Sequence, residues 1–302
     1  ACKSENDVPL GDFRTWVKYT ETGEFPQVKR NFAVLRCNQC TDAPCVEICP
    51  VIALSKGSNG IVDIDPKLCI GCKSCMQACP YDAIYLNDSK GTVEKCHFCA
   101  HRVEVGLAPA CAIVCPTEAI IPGDFDDPGS LVSRLLAGDR LRARKVEAGT
   151  GPNVWYREAD PAGLDPMITN SSGGYLWSQR RETPELEAEI LDALEKKARS
   201  RTVYDVDQRP MWGWKVGAYI FTKSVSSGAF LVGSFFLPPF AGATSFAVRL
   251  AIPLVSMLFL LITTGFLVGD LKRPERFLKV VFHPNRRSWL ARGGYVLSGF
   301  GP

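Results

Sequence analysis

The stretch Cys69-Ile70-Gly71-Cys72-Lys73-Ser74-Cys75-Met76-Gln77-Ala78-Cys79-Pro80 decides the reading of this chain. Its four cysteines are spaced by two, two and three residues and closed by proline. Small steps between the first three let one loop wrap a polynuclear iron–sulfur cube, while the fourth thiolate usually crosses to another cube. Proline after the last cysteine fixes φ and ends the wrapping turn. Working outward, the chain holds thirteen cysteines, and twelve fall in three such groups. Cys37, Cys40, Cys45 and Cys49 precede the central group, and Cys96, Cys99, Cys111 and Cys115 follow it. Each group ends in Cys-Pro. The residues after it repeat as Cys49-Pro50-Val51-Ile52-Ala53-Leu54, Cys79-Pro80-Tyr81-Asp82-Ala83-Ile84 and Cys115-Pro116-Thr117-Glu118-Ala119-Ile120, so one unit was copied.

Zinc and disulfides are the other uses of clustered cysteines. Structural zinc prefers two pairs of ligands separated by a longer stretch, not three cysteines in seven residues followed by Cys-Pro. A disulfide framework suits small secreted domains, whereas 302 residues with 46% hydrophobic content can build an ordinary core. The net charge of +3 and the lack of base-stacking aromatics among the basic residues argue against a nucleic-acid partner.

Composition divides the chain. Residues 1–210 carry all the cysteines and most of the charge, while residues 211–270 are mostly apolar, with Lys215, Lys223, Arg249 and Asp270 the charged positions. The expected organisation is a ferredoxin-type domain over 1–145, a covering segment and linker helix over 146–210, and the start of a membrane domain over 211–302. The N-terminus has no apolar run of the kind a signal peptide needs. Cys2, in Ala1-Cys2-Lys3-Ser4-Glu5-Asn6, reads as the tail of a further cysteine motif, or as a free thiol near a terminus.

In chain order, residues 7–31 suggest one extended piece around Phe13–Val17 between loops, covering a cluster. Gly60–Pro66 alternates apolar and acidic residues as a half-buried strand does, and Tyr85-Leu86 plays the same part. Ser130–Leu136 suits a short helix. Residues 146–182 read as an irregular segment that buries Trp155, Tyr156, Tyr175 and Trp177. Thr183-Pro184-Glu185 opens an amphipathic helix. Two membrane helices are expected at about 212–237 and 250–268, joined by a turn at Pro238–Gly242, with a third beginning near Trp289. The second offers nineteen residues without a charge, which at about 1.5 Å each nearly spans a bilayer core of about 30 Å. Basic residues flank the hairpin on both outer sides and are almost absent from its turn, which places the head on the cytoplasmic face.

Within the apolar half, Lys223 is the intramembrane charge and so a candidate functional residue, with snorkelling to the interface as the alternative. Asp270 and Arg273 follow at the end of the second helix, where an interhelix ion pair is the alternative. Trp212 and Tyr219, with Trp214, are more often an interfacial aromatic belt than the walls of a cofactor pocket. Lys215 completes the group.

Lys95-Cys96-His97-Phe98-Cys99, Arg102, Gly106, Pro109-Ala110-Cys111 and Cys115-Pro116-Thr117-Glu118-Ala119 resemble the iron–sulfur electron-transfer (beta) subunits of molybdopterin oxidoreductases. Arg36–Cys40, Pro44-Cys45, Cys49-Pro50, Cys69–Cys72 and Gly123-Asp124 with Asp127 resemble them too, over residues 1 to about 180. Trp212–Lys215, Gly269–Phe277 and Ser288-Trp289 resemble the NrfD or polysulfide-reductase membrane subunits. The resemblance implies an α+β, ferredoxin-like, multi-[4Fe–4S] domain followed by an all-α transmembrane segment. It implies one cluster on Cys37, Cys40, Cys45 and Cys79, a second on Cys69, Cys72, Cys75 and Cys49, and a third on Cys96, Cys99, Cys111 and Cys2. Cys115 would serve a fourth, whose other ligands would precede Ala1. His97 and His101 would then pack or hydrogen-bond near a cluster.

The implied function is electron transfer through [4Fe–4S] clusters between a catalytic molybdopterin-type subunit and the membrane quinone pool, menaquinone or ubiquinone. The substrate chemistry would lie on that other chain. The implied quinone-site residues are Trp212, Lys215, Tyr219, Lys223, Asp270 and Arg273, and the implied location is the inner membrane. The alternatives are the equivalent subunit of a hydrogenase or of a quinol-oxidising complex, or a cluster-bearing anchor without a quinone site.

Overall fold

The three Cys-Pro repeats shape the local backbone before anything packs. In a computed structural model, which describes residues 1–23, 25–138, 140–164, 169–171, 200–206, 213–236 and 246–299, Ile52, Asp82 and Glu118 occupy the same repeat position. All three are left-handed, with φ of 55°, 53° and 49°. A β-branched residue there is unusual, and strained positions of this kind cluster at functional sites. The turn swings the next N–H back onto the cysteine. Ala53 donates to Cys49 Sγ and Ala119 to Cys115 Sγ, each at 3.3 Å, and Ala83 does the same for Cys79. Alanine suits the place because the methyl is enclosed, with Ala53 and Ala83 both buried. A second repeated device is a left-handed residue directly before the second cysteine of each group: Gln39, Gly71 and Phe98.

Each of the first two Cys-Pro turns leads into a hairpin. Leu54–Lys56 pairs antiparallel with Val62–Ile64, and Ile84–Asn87 with Thr92–Lys95. The short helices Pro44–Ile48 and Ser74–Ala78 pack on each other, so the two copies face one another. Their shared core joins cysteines to Val51, Leu54, Val62, Ile70, Tyr81, Ile84 and Val93. Each large apolar side chain so enclosed is worth about 1.5–3 kcal/mol. Tyr81, almost fully buried, keeps its hydroxyl bonded to Thr150 Oγ1 at 2.8 Å.

A mixed sheet flanks this core, ordered Lys29–Arg36, Thr15–Thr22, Ser200–Tyr204 and Thr169–Ser171, with the last pair parallel. The sequence suggested one extended piece in this region, and the second strand, Lys29–Arg36, is a finding of the structure. Trp16, Ala33, Leu35 and Leu164 form its core. The segment read as irregular supplies the strand Trp155–Arg157, paired with Leu141–Ala143, and the short helix Pro161–Leu164. Tyr156 is half-buried and donates to Val34 O at 2.9 Å, but Trp155 stays 43% exposed, contrary to the burial expected of it. Tyr175, Trp177, the helix expected from Thr183, Trp212 and the turn at Pro238–Gly242 lie outside the described residues.

Two long helices follow, Trp214–Phe236 and Phe246–Gly269, packed side by side. Their contact is polar at depth: Ser226 Oγ donates to Ser256 O at 2.8 Å, Ser256 Oγ to Ser226 O at 2.9 Å, and Thr263 Oγ1 bonds Thr222 Oγ1 at 2.8 Å. Small hydroxyl residues at helix contacts are a membrane habit. Only Leu250–Gly269, with a mean hydropathy of 2.3 over twenty residues, is long and apolar enough among the described residues to cross a bilayer. Of the two spans expected from sequence, the first falls short because Thr222, Lys223, Ser224, Ser226 and Ser227 dilute it. A shorter helix, Trp289–Gly299, comes after them.

Candidate functional site

Three cavities inside the head are each lined by four cysteines. Cys37, Cys40, Cys45 and Cys79 line the first. Cys49, Cys69, Cys72 and Cys75 line the second. Cys2, Cys96, Cys99 and Cys111 line the third. The crossing of Cys79 and Cys49 follows from the packed helices, since each cysteine sits just past the end of its own helix and beside the other group's loop. All thirteen cysteines are free thiols. Among the described residues no three of His, Cys, Asp or Glu stand close enough together to hold a single metal ion. Four thiols that line one space without converging on a single point suit a polynuclear group better than one ion with bonds of about 2.3 Å.

The electrostatics point the same way. Burial pushes the Cys45 thiol up to about 12 and Cys96 up to about 11, and it raises Cys75 well above the ordinary value. Left to themselves these thiols stay protonated, so the cavities need a bound cationic centre to become thiolate cages. The third cavity adds donors aimed inward. Asn6 Nδ2 lies 3.7 Å from Cys2 Sγ and 3.8 Å from Cys99 Sγ, and Arg36 Nη1 lies 3.6 Å from Cys111 Sγ. Arg14 Nε and Nη1 and His97 Nδ1 are buried there without a partner. Arg14 is held by Glu94 at 3.1 Å. Although burial raises the Glu94 carboxyl, hydrogen bonds from Tyr85, Lys90 and Arg14 bring it below the usual carboxylate range. Orphaned donors beside sulfur are what sulfide and thiolate acceptors call for, so the residues present fit iron–sulfur cubes. His101 faces outward to Glu5 at 3.0 Å, and its ring meets that of His97 edge-on.

Cys115 stands apart from the three cavities. It is more open than the buried ligand cysteines, and hydrogen bonds from Thr117 and from the Ala119 N–H lower its pKa below the ordinary thiol value.

The residues after the second long helix form a strap over the second cavity. Asp270 pairs with Lys73, which lies between Cys72 and Cys75, at 2.9 Å. The Arg273 N–H donates to Ile70 O at 3.2 Å, and its guanidinium donates twice to Lys90 O, at 2.7 and 3.1 Å. Arg276 Nη1 reaches Cys69 O at 2.8 Å and Pro66 O at 2.7 Å. Asn285 Nδ2 donates to Cys49 O at 2.8 Å, the Asn285 N–H to Pro50 O at 2.9 Å, and Ser288 Oγ to Ile48 O at 2.7 Å. Two glycines allow the approach: a Cβ on Gly71 would lie 2.6 Å from Lys272 Cβ, and one on Gly91 would lie 3.0 Å from Arg273 Nε.

Of the residues proposed from sequence for a quinone, the structure brings three to this junction. Lys215 Nζ donates to Gly269 O at 2.8 Å, capping the C-terminal end of the second long helix, where a cation is favoured. Asp270 and Arg273 are the strap residues already described. Tyr219 is half-buried one turn from Lys215. Lys223 is exposed, two turns and about 12 Å from Lys215 along the helix, on a side of it that does not face the second helix. Sequence reasoning quoted Asn6, Arg36, Gln39, Arg276 and Ser288 within motifs without giving any of them a role at a cavity, and it passed over Arg14 at the third cavity and Asn285 in the strap. The one available signal was a basic residue directly before two of the cysteine groups, Arg36 and Lys95.

Comparison with known proteins gives two family matches. Residues 28–125 match the 4Fe-4S dicluster domain, and residues 202–302 match the polysulphide reductase NrfD family. The B subunit of tetrathionate reductase from Salmonella typhimurium is 42% identical, over 59% of this chain and 73% of its own length. A putative dimethyl sulfoxide reductase iron–sulfur subunit from Halobacterium salinarum is 35% identical, over 67% and 83%. Protein NrfC of Escherichia coli is 40% identical, over 51% and 71%.

Proposed function

Because this chain belongs to the iron–sulfur subunit family that contains the tetrathionate reductase and dimethyl sulfoxide reductase relatives, joined here to a domain of the NrfD family, we propose that it carries electrons between a catalytic subunit and the membrane quinone pool. The observation that carries this reading is the set of three four-cysteine cavities, one of them strapped to the helices that enter the NrfD domain. An iron–sulfur cube, when bound, supplies a one-electron centre whose potential follows local charge, hydrogen bonding and exposure. The ligands are Cys37, Cys40, Cys45 and Cys79 for the first site, Cys49, Cys69, Cys72 and Cys75 for the second, and Cys2, Cys96, Cys99 and Cys111 for the third. Cys115, already cradled by the Ala119 N–H, is the ligand this chain offers to a fourth.

The chain's own residues do the rest. Val51, Ile70, Tyr81 and Ile84 exclude water from the cages, and the repeated alanine N–H groups hold the thiolates in place. At the strap, Arg276 and Asn285 fix the carbonyls of Cys69 and Cys49, so the second site is the one nearest the membrane helices. Lys215, Asp270 and Arg273 form the polar junction at which a menaquinone or ubiquinone head group would exchange electrons and protons. Trp212, Tyr219 and Lys223 complete the proposed quinone region. The proposed domain limits are a cluster head over 1–145, a covering segment and linker helix over 146–210, and a membrane domain over 211–302 with helices of an all-α bundle. The partner is a molybdopterin-type catalytic subunit, the setting is the inner membrane, and the excess of basic residues beside the helices favours a cytoplasmic head.

Iron and acid-labile sulfide per chain, with low-temperature EPR on the anaerobically purified complex, test the reading. Three or four cubes support it, and zinc without sulfide ends it. Molybdenum in a co-purifying large subunit supports the proposed partner, whereas nickel there points to a hydrogenase.

A further inference from the structure

Between the first and third cavities the chain buries a lysine that electron carrying as described leaves unused. Lys95, only 2% exposed, ends the strand Thr92–Lys95 directly opposite Ile84, a residue of the first cavity's wall. Its Nζ donates to the carbonyls of Val62 and Cys96, the latter at 3.0 Å. Val62 lines the first cavity and Cys96 the third. Gln39 closes the same ring from the first cysteine group: its Nε2 donates to Cys96 O at 2.8 Å, and its Oε1 accepts the Val62 N–H at 2.8 Å. Asn153 Nδ2 pins the Gln39 carbonyl at 2.8 Å.

A buried ammonium is costly unless it is both hydrogen-bonded and charge-balanced. Lys95 has carbonyl acceptors, but among the described residues no carboxylate pairs with it. The cavities on either side of it are lined by ligand cysteines, Cys37, Cys40, Cys45 and Cys79 in the first and Cys2, Cys96, Cys99 and Cys111 in the third, which become thiolates when a cluster is bound.

We propose that Lys95 is the shared counter-charge of the first and third cluster sites and, with Gln39, the hydrogen-bonded bridge between their ligand loops. It rests on the cysteine groups being cluster ligands. Lys95 is a positioning residue: it raises the reduction potentials of both sites together and so leaves the driving force of electron exchange between them unchanged. In that exchange one electron leaves one site and arrives at the other. No bond forms or breaks and no proton moves.

The test is an EPR-monitored redox titration of the anaerobically purified complex carrying Lys95→Gln or Lys95→Arg. In Lys95→Gln the two clusters fall together, each by about tenfold in its one-electron equilibrium, equivalent to 59 mV, while the second site keeps its potential. Lys95→Arg, which retains the charge, stays at the wild-type values. Should Lys95→Gln fail to assemble clusters, Gln39→Glu reads the same quantity with the lysine in place, because a carboxylate in the ring neutralises it and lowers both potentials. Unchanged potentials, a shift at one site alone, or a shift in Lys95→Arg as large as in Lys95→Gln overturns the proposal. Wild-type protein lacking iron and sulfide would instead condemn the cluster reading beneath it.

Discussion

Replacing Gly71 with alanine should release the strap from the second cavity. Gly71 sits at φ +68°, where a side chain costs roughly 1–2 kcal/mol. The new Cβ would also lie 2.6 Å from Lys272 Cβ and 2.8 Å from Gly91 O. Forcing a methyl into such a contact adds about 1–3 kcal/mol. The conformational cost is the same with the strap docked or undocked, so the steric part of about 1–3 kcal/mol sets the change in the ratio of docked to undocked strap, roughly 5- to 140-fold at about 1.4 kcal/mol per factor of ten. Gly60→Ala is the matched control, because Gly60 has φ +76° with nothing within 4 Å of its added Cβ. It carries the conformational cost alone. Hydrogen exchange at the Arg273 and Asn285 amides, which donate to Ile70 O and Pro50 O, reads the docking directly. Faster exchange at both in Gly71→Ala, with Gly60→Ala near wild type, is expected. Equal exchange in the two variants would refute the claim that the strap grips the head through this contact.

Glu94→Gln leaves the buried Arg14 charge without its carboxylate, and the expected loss of about 3–5 kcal/mol should appear as a lower melting temperature of the complex; an unchanged value would mean the pair is not buried as described. With iron removed, the folded head binds more protons than the unfolded chain above pH 9, because Cys45 and Cys96 titrate near 12 and 11 rather than 9.0. The urea midpoint of the iron-free protein should therefore fall as pH rises from about 9 towards 11–12, while iron affinity rises over the same interval because each ligand must shed its proton. Alkylation of the iron-free protein should label Cys115 before Cys45 and Cys75, since its pKa is lowered and theirs are raised; peptide mapping over time checks the order.

The cysteine groups announce themselves because ligand spacing is a local property, and so does the hairpin strand at Val62–Ile64, where apolar and acidic residues alternate. The strand Lys29–Arg36 escaped notice because its alternation is clean only in part and Gly23 and Pro26 precede it. Which cavity Cys79 enters depends on how Pro44–Ile48 packs against Ser74–Ala78, a contact between segments thirty residues apart that spacing does not encode. Arg276 and Asn285 look like ordinary surface residues in sequence. Only the fold reveals that they hold carbonyls of the Cys69 and Cys49 loops. Lys95 was visible as part of a motif, but its burial and its reach to Val62 belong to the tertiary structure.

The strap's grip combines polar bonds to carbonyls with Leu271 and Val280 packed on the head's core, a small contact of a kind that separate subunits would hold weakly at cellular dilution. Here both faces belong to one polypeptide. Tethering sets an effective concentration of the order of millimolar for a short connection, independent of how much protein the cell makes. Such a head would not be lost from its membrane domain on extraction or dilution, and every membrane domain made would arrive with its own head in a fixed one-to-one ratio.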